Sequence, residues 1–178
     1  MKKIIISITI SLVTLQSCAG IIPSVSIKSM KSNWATSQKL NNIFIFESID
    51  ISDKFATSLM LELRENLNLR GLQNTGFIYN EKELDASKNL EAKIANFNPD
   101  YLLEIKHTQT MVYTSNKGGS YSVYYFEIKC YDKKNDAVIW SSTSNLTSGI
   151  NGSSALANKI LKKLEKDGLI TKKIKTKK

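Results

Sequence analysis

From about residue 42 onward, apolar positions recur with two different periods. Ile43-Phe44-Ile45-Phe46 is a continuous apolar run, the pattern of a strand buried on both faces. Phe55, Ala56, Leu59, Met60, Leu63 and Leu67 then recur at spacings of three and four, which places them on one face of a helix. Ser52 or Asp53 stands where it caps that helix, and Gly71 where it ends it. A short apolar strand follows at 76–79. A second helix carries Ala86, Leu90, Ile94 and Phe97 and stops at Asn98-Pro99-Asp100, because proline disfavours helical backbone at the residue before it.

The pattern then changes to longer alternating runs at 101–111, 121–131 and 137–146, which read as three strands. Lys117-Gly118-Gly119-Ser120 and Asp132-Lys133-Lys134-Asn135-Asp136 supply the turns between them. In the middle strand Tyr124, Phe126, Ile128 and Cys130 fall on one face, and Val123, Tyr125, Glu127 and Lys129 on the other. In the last strand Val138 and Trp140 share a face with Ser142 and Ser144, so its burial is expected to fall toward its end. A final helix beginning near Ser153 or Ser154 buries Leu156, Ile160, Leu161 and Leu164 and closes at Gly168. The order β-α-β-α-β-β-β-α predicts an α/β fold: a two-layer sandwich with a mixed β-sheet and helices mainly on one face.

The first residues obey a different logic. Lys2 and Lys3 precede an apolar stretch from Ile4 to Leu15, 12 residues long, where a membrane-spanning helix needs about 20. A short apolar run behind a positive start is a secretory leader. Leu15, Ser17 and Cys18 at its end resemble the lipoprotein signal peptide. That resemblance implies removal of residues 1–17, a diacylglyceryl group on the sulfur of Cys18, and anchorage of the mature chain to a membrane through it. Ala19 stands where, in enterobacterial lipoproteins, an aspartate retains the protein at the inner membrane. The implied place is therefore the outer membrane, facing the periplasm. Residues 18–41 read as the acylated cysteine and a flexible tether, spanning roughly 25 Å as a coil and at most roughly 70 Å extended. Within it Val25 and Ile27 have the spacing of an edge strand, and Trp34 is available to dock on the domain. The folded domain is expected over 42–170.

Charge supports this division. The formal net charge is +9, but two charges belong to the leader. Five more lie in the tail 171–178, on Lys172, Lys173, Lys175, Lys177 and Lys178, which leaves the body at +2. A nearly neutral exported body is no nucleic-acid binder. The tail reads as a frayed soluble end, with contact to anionic lipid or glycan as the alternative. With Cys18 acylated, Cys130 has no partner for an internal disulfide and reads as a small buried hydrophobe.

Pro99-Asp100-Tyr101-Leu102-Leu103 at the entry to the third strand, and Val138-Ile139-Trp140 in the last, resemble the N-terminal domain of TolB and periplasmic lipoprotein domains of the LpoB and CsgG type. The resemblance covers about 42–170 and implies an envelope adaptor, synthase activator or secretion component. It assigns no site residue.

Reactive chemistry has few candidates. His107 is the one histidine, placed by alternation on the face of Leu103, Ile105, Gln109 and Met111. A hydrolase built around it is the least favoured reading. No Gly-x-Ser-x-Gly elbow surrounds a serine, and no phosphate-binding Gly-x-x-x-x-Gly-Lys loop occurs. A zinc site and a cofactor are not expected. Glu62 and Glu65 lie on a helix flank, and Asp50, Asp53 and Asp100 at strand ends. Tyr113, Tyr121, Tyr124 and Tyr125 flank the Gly-Gly turn. Tyrosine offers apolar area with a polar tip, so Tyr113, Tyr121 and Tyr125 are the candidate partner-binding residues. The expected activity is that of a non-enzymatic, membrane-anchored envelope adaptor or accessory binding module with an envelope protein as partner. A cell-wall or lipopolysaccharide binder using the basic tail is the alternative.

Overall fold

The computed structural model describes residues 24–31, 39–114, 119–148 and 151–172. Cys18, Trp34, the Lys117-Gly118 part of the turn and the tail from Lys173 lie outside them. The elements are β1 (Val25–Lys31), β2 (Asn42–Ser48), α1 (Asp53–Asn68), β3 (Gln73–Ile78), α2 (Ala86–Phe97), β4 (Tyr101–Thr114), β5 (Ser120–Asp132), β6 (Ala137–Thr147) and α3 (Gly152–Lys166). From β2 onward the order is the predicted one. The strands form one mixed sheet in the order β1-β6-β5-β4-β2-β3. β2 pairs in parallel with β3 and β4, and the remaining pairs are antiparallel.

Right-handed crossovers fix where the helices lie. The chain steps outward from β2 to β3 through α1 and back across β2 to β4 through α2, so the two helices take opposite faces. On one face α1 and α3 lie together over the main core. There Leu59, Leu63, Leu67, Leu156, Ile160 and Leu164 bury against Ile43, Ile45, Leu103, Ile105 and Ile128. On the other face α2 is a lighter cover, with Phe97 against Phe44 at 6.1 Å between ring centroids. The predicted cap of α1 is Ser52, whose Oγ accepts from the Phe55 N–H at 3.2 Å. Gly71 follows that helix at φ +74°, a conformation that favours glycine.

Close approach of α1 to the sheet depends on Gly76. A Cβ at this position of β3 would stand 2.1 Å from the Met60 sulfur. Gly76→Ala is therefore expected to lower stability by about 1–3 kcal/mol in urea denaturation. Met60→Ala should suppress that loss, making the pair non-additive; additive costs would show that the two sites do not touch.

Two expectations change. The tether was expected to be flexible over 18–41, but Val25–Lys31 is an edge strand, with Val25 opposite Leu146 and Lys31 opposite Trp140. The spacing of Val25 and Ile27 marked this option. β6, in turn, does not lose burial toward its end. Ser142 and Ser144 are buried. Their hydroxyls donate to the carbonyl oxygens of Lys28 (2.7 Å) and Ser26 (2.9 Å) on β1. Leu146 closes the row, 1% exposed. It is Val138 that leaves the face: a register shift pairs Cys130 with Trp140 but Tyr131 with Val138, so Ile139 is the inserted residue and Val138 turns outward.

Candidate functional site: a tyrosine face on the β4–β5 hairpin

β4 is paired with β2 only as far as Lys106, opposite Ser48. Beyond that point it pairs with β5 alone, and its residues from Thr108 to Thr114 are mostly exposed. On the β4 side the hairpin thus projects past β2, while β5 stays paired with β6 as far as Val123, opposite Thr147.

A bulge decides which side chains its faces carry. His107 lies opposite Phe126 and Gln109 opposite Tyr125, so Thr108 is the extra residue on β4. Its hydroxyl donates to the Tyr125 carbonyl at 3.2 Å. An inserted residue reverses the alternation beyond it. Gln109 and Met111 were expected on the face of His107; the bulge moves them, with Tyr113, to the opposite face. There they meet Tyr121, Val123 and Tyr125.

The three candidate tyrosines are brought together as a result. Tyr113 stacks on Tyr121, with ring centroids 5.3 Å apart and planes 16° from parallel. The Tyr113 hydroxyl donates to the Met111 sulfur at 3.2 Å. A hydrogen bond with the Tyr125 side chain, together with the charge interaction between the two phenols, holds the Tyr113 phenol above its ordinary range. Met111, Tyr113 and Tyr121 are each exposed, and Val112 at the hairpin end is 69% exposed. Tyr124 is separated from them. It lies on the face covered by α1 and α3, partly buried beside His107.

His107 is held in place by its surroundings. Its Nε2 lies 3.0 Å from the Gln109 carbonyl oxygen and 2.9 Å from Thr110 Oγ1. A carbonyl only accepts, so this nitrogen carries the proton. The ring packs against Phe126 and Tyr124 at 5.8 and 6.1 Å. The histidine thus seals the bulge. Cys130 is buried and free, its thiol pushed up to about 12 by burial first and Asp132 second. Glu62 accepts a hydrogen bond from Ser154 at 2.7 Å and joins α1 to α3, while Glu65 is exposed. Asp50 and Asp53 follow the carboxyl end of β2, whereas Asp100 precedes the amino end of β4, so the sheet separates them. Among the described residues, no three His, Cys, Asp or Glu side chains converge as metal ligands would.

A crevice of about 850 Å³ opens beside the hairpin base, at the carboxyl ends of β2 and β3. Its position follows from topology, because the chain leaves β2 and β3 toward opposite faces. Asp50 and Lys82 face each other across it at 3.8 Å, both highly exposed. One residue that sequence reading missed is Glu47, just inside this end of β2 and fully buried.

No family model matches the chain, and no curated protein matches it. Solved structures do. PelC from Paraburkholderia phytofirmans, a dodecamer, superposes with a TM-score of 0.51 at 17% identity, covering 84% of this chain and 100% of its own. The likeness is one of fold. A minor lipoprotein from Acinetobacter baumannii gives 0.40 at 11% identity, over 72% of this chain and 96% of its own. TolB from Acinetobacter baumannii gives 0.39 at 10% identity, over 81% of this chain and 31% of TolB. The last two are looser likenesses.

Proposed function

We propose that the chain is a lipid-anchored envelope protein that works without catalysis, as an adaptor or accessory binding module. Cys18 is its anchor, and the face formed by Tyr113, Tyr121 and Tyr125 is its contact surface. The observation that carries this reading is that face itself: a bulge in β4 brings Tyr113 onto the face of Tyr121 and Tyr125, the side of the hairpin turned away from the main core. Stacked aromatic rings with polar hydroxyl tips suit contact with another envelope component. Shared fold with a protein that assembles as a dodecamer supports a role in association. Ala19 makes the periplasmic side of an outer membrane the expected location.

Mass spectrometry of the mature N-terminus is expected to find a diacylglyceryl-modified Cys18, and Cys18→Ser should release the protein from the membrane fraction. An unmodified Cys18, or cleavage elsewhere, would sink the anchor. Recovery of envelope material by the anchored protein should weaken when Tyr121 and Tyr125 become alanine; unchanged recovery removes the hairpin from the reading.

A further inference from the structure

The tether leaves the domain at the same end as the tyrosine hairpin. β1 runs antiparallel to β6, with Val25 at the level of Leu146. The Ser24 carbonyl accepts from the Thr147 N–H at 3.0 Å. Thr147 lies opposite Val123, and Val123 opposite Met111. Ser24 therefore stands level with Met111 on the sheet. Tyr113 and Tyr121 are two residues further out, about 7 Å along the strands.

Five residues lie between Cys18 and Ser24, which makes six Cα–Cα steps. They reach at most about 20 Å when fully extended and about 13 Å as a coil. The opposite end of the sheet, where Tyr101 pairs with Asp132, lies about 30 Å from the level of Ser24. A chain held at Cys18 cannot stand on that end, because the tether is too short. It can stand on the hairpin, whose tip covers a large part of the coil distance. What the tip presents is suited to a bilayer surface: Val112 on one face, and the stacked Tyr113 and Tyr121 on the other, all exposed. Tyrosine rings concentrate at the headgroup level, with the ring toward the acyl chains and the hydroxyl toward water.

From this geometry we infer that the envelope component met by Val112, Tyr113 and Tyr121 is the lipid surface that holds the Cys18 anchor. The hairpin is a second foot on the membrane, and it orients the domain with the turn Asp132–Asp136 pointing away. This rests on the reading of Cys18 as the anchor and of the tyrosine face as the contact surface.

The test uses the acylated full chain in phosphatidylethanolamine–phosphatidylglycerol vesicles, with an environment-sensitive fluorophore attached at Val112→Cys or at Lys133→Cys. Cys130 does not compete for the label, being buried. The expected result is a blue shift and a several-fold intensity gain on vesicles for the label at 112 and none at 133. The gain at 112 should fall to the level at 133 when Tyr113 and Tyr121 become serine, and should survive Tyr113→Trp. Equal, water-like emission at both positions overturns the inference. If a crosslinker at 112 then captures an envelope protein in cells, the face stands as a contact surface and only the lipid is wrong. If it captures nothing, the contact-surface reading falls as well.

Discussion

Glu47→Met is expected to stabilise the protein, by more at pH 8 than at pH 5. Glu47 alternates with Ile43 and Ile45 along β2 and lies between Ile78 and Ile105 in the register. It is fully buried, and neither carboxyl oxygen has a hydrogen-bond partner. Burial raises its pKa to about 9 from an ordinary 4.5, so it is folded in as a neutral acid at neutral pH. The unfolded chain ionises it near its ordinary value. Between those two pKa values the unfolded state has lost a proton that the native state keeps, and stability falls as pH rises. The slope is about 1.4 kcal/mol per pH unit for one such proton, and the whole window amounts to an upper bound of about 6 kcal/mol. The contribution is complete below pH 4.5 and gone above about 9. Glu47→Gln removes the titration but keeps an unpaired polar group, so it should flatten the profile while recovering less stability at low pH than methionine does. Urea denaturation of the three proteins from pH 5 to 9 decides it. Parallel profiles for wild type and Glu47→Met would show that Glu47 does not titrate in this window.

Asp167→Ala is expected to cost about 2–4 kcal/mol and to loosen β1 before the rest of the sheet. Asp167 follows α3 and gathers three donors: Ser29 Oγ at 2.6 Å, Trp140 Nε1 at 2.8 Å and Lys163 Nζ at 3.1 Å. Its backbone carbonyl accepts from Lys31 Nζ at 2.8 Å. Burial alone would raise its pKa, but the hydrogen bonds from Ser29, Trp140 and Lys163 outweigh it and hold the carboxyl below its usual range. Its stabilisation is thus present above the ordinary carboxylate pKa and lost as pH falls through the lowered one, the opposite side of the pH scale from Glu47. Alanine leaves the indole N–H of Trp140, a residue 1% exposed, without its acceptor. Hydrogen exchange is the discriminating measurement: amides of Val25–Lys31 should exchange faster in the variant while those of β4 keep their protection. Uniform acceleration would assign Asp167 to the global core rather than to the β1 clasp.

The periodic elements were legible because burial is one-sided and regular there. The α1 stripe and the β5 alternation each state their own face. Two misreadings on β1 and β6 were one misreading. Val-Ser-Ile-Lys-Ser-Met-Lys looks like linker, and without it the row Ser142–Ser144 looks solvent-facing. Paired, the two strands satisfy each other, and serine becomes a core residue because carbonyls of the neighbouring strand accept its proton. Neither glycine nor proline marks the bulge at Thr108, so the faces of β4 beyond His107 could not be assigned from alternation alone. The tyrosine cluster was legible as a composition around a Gly-Gly turn, and alternation along β5 already parts Tyr124 from Tyr121 and Tyr125, but the place of Tyr113 beside them depends on that bulge. Glu47 was visible by period, as the next inward position after Ile45. It was passed over because a carboxylate is rarely buried without a partner.

The register of β1 also has a mechanical meaning. A load applied at Ser24 along the strand axis acts at right angles to the hydrogen bonds that join β1 to β6. All seven paired positions from Val25 to Lys31 then share the force in shear, rather than parting one after another as an unzipping edge would. A domain pulled away from its anchor is held by its whole first strand at once.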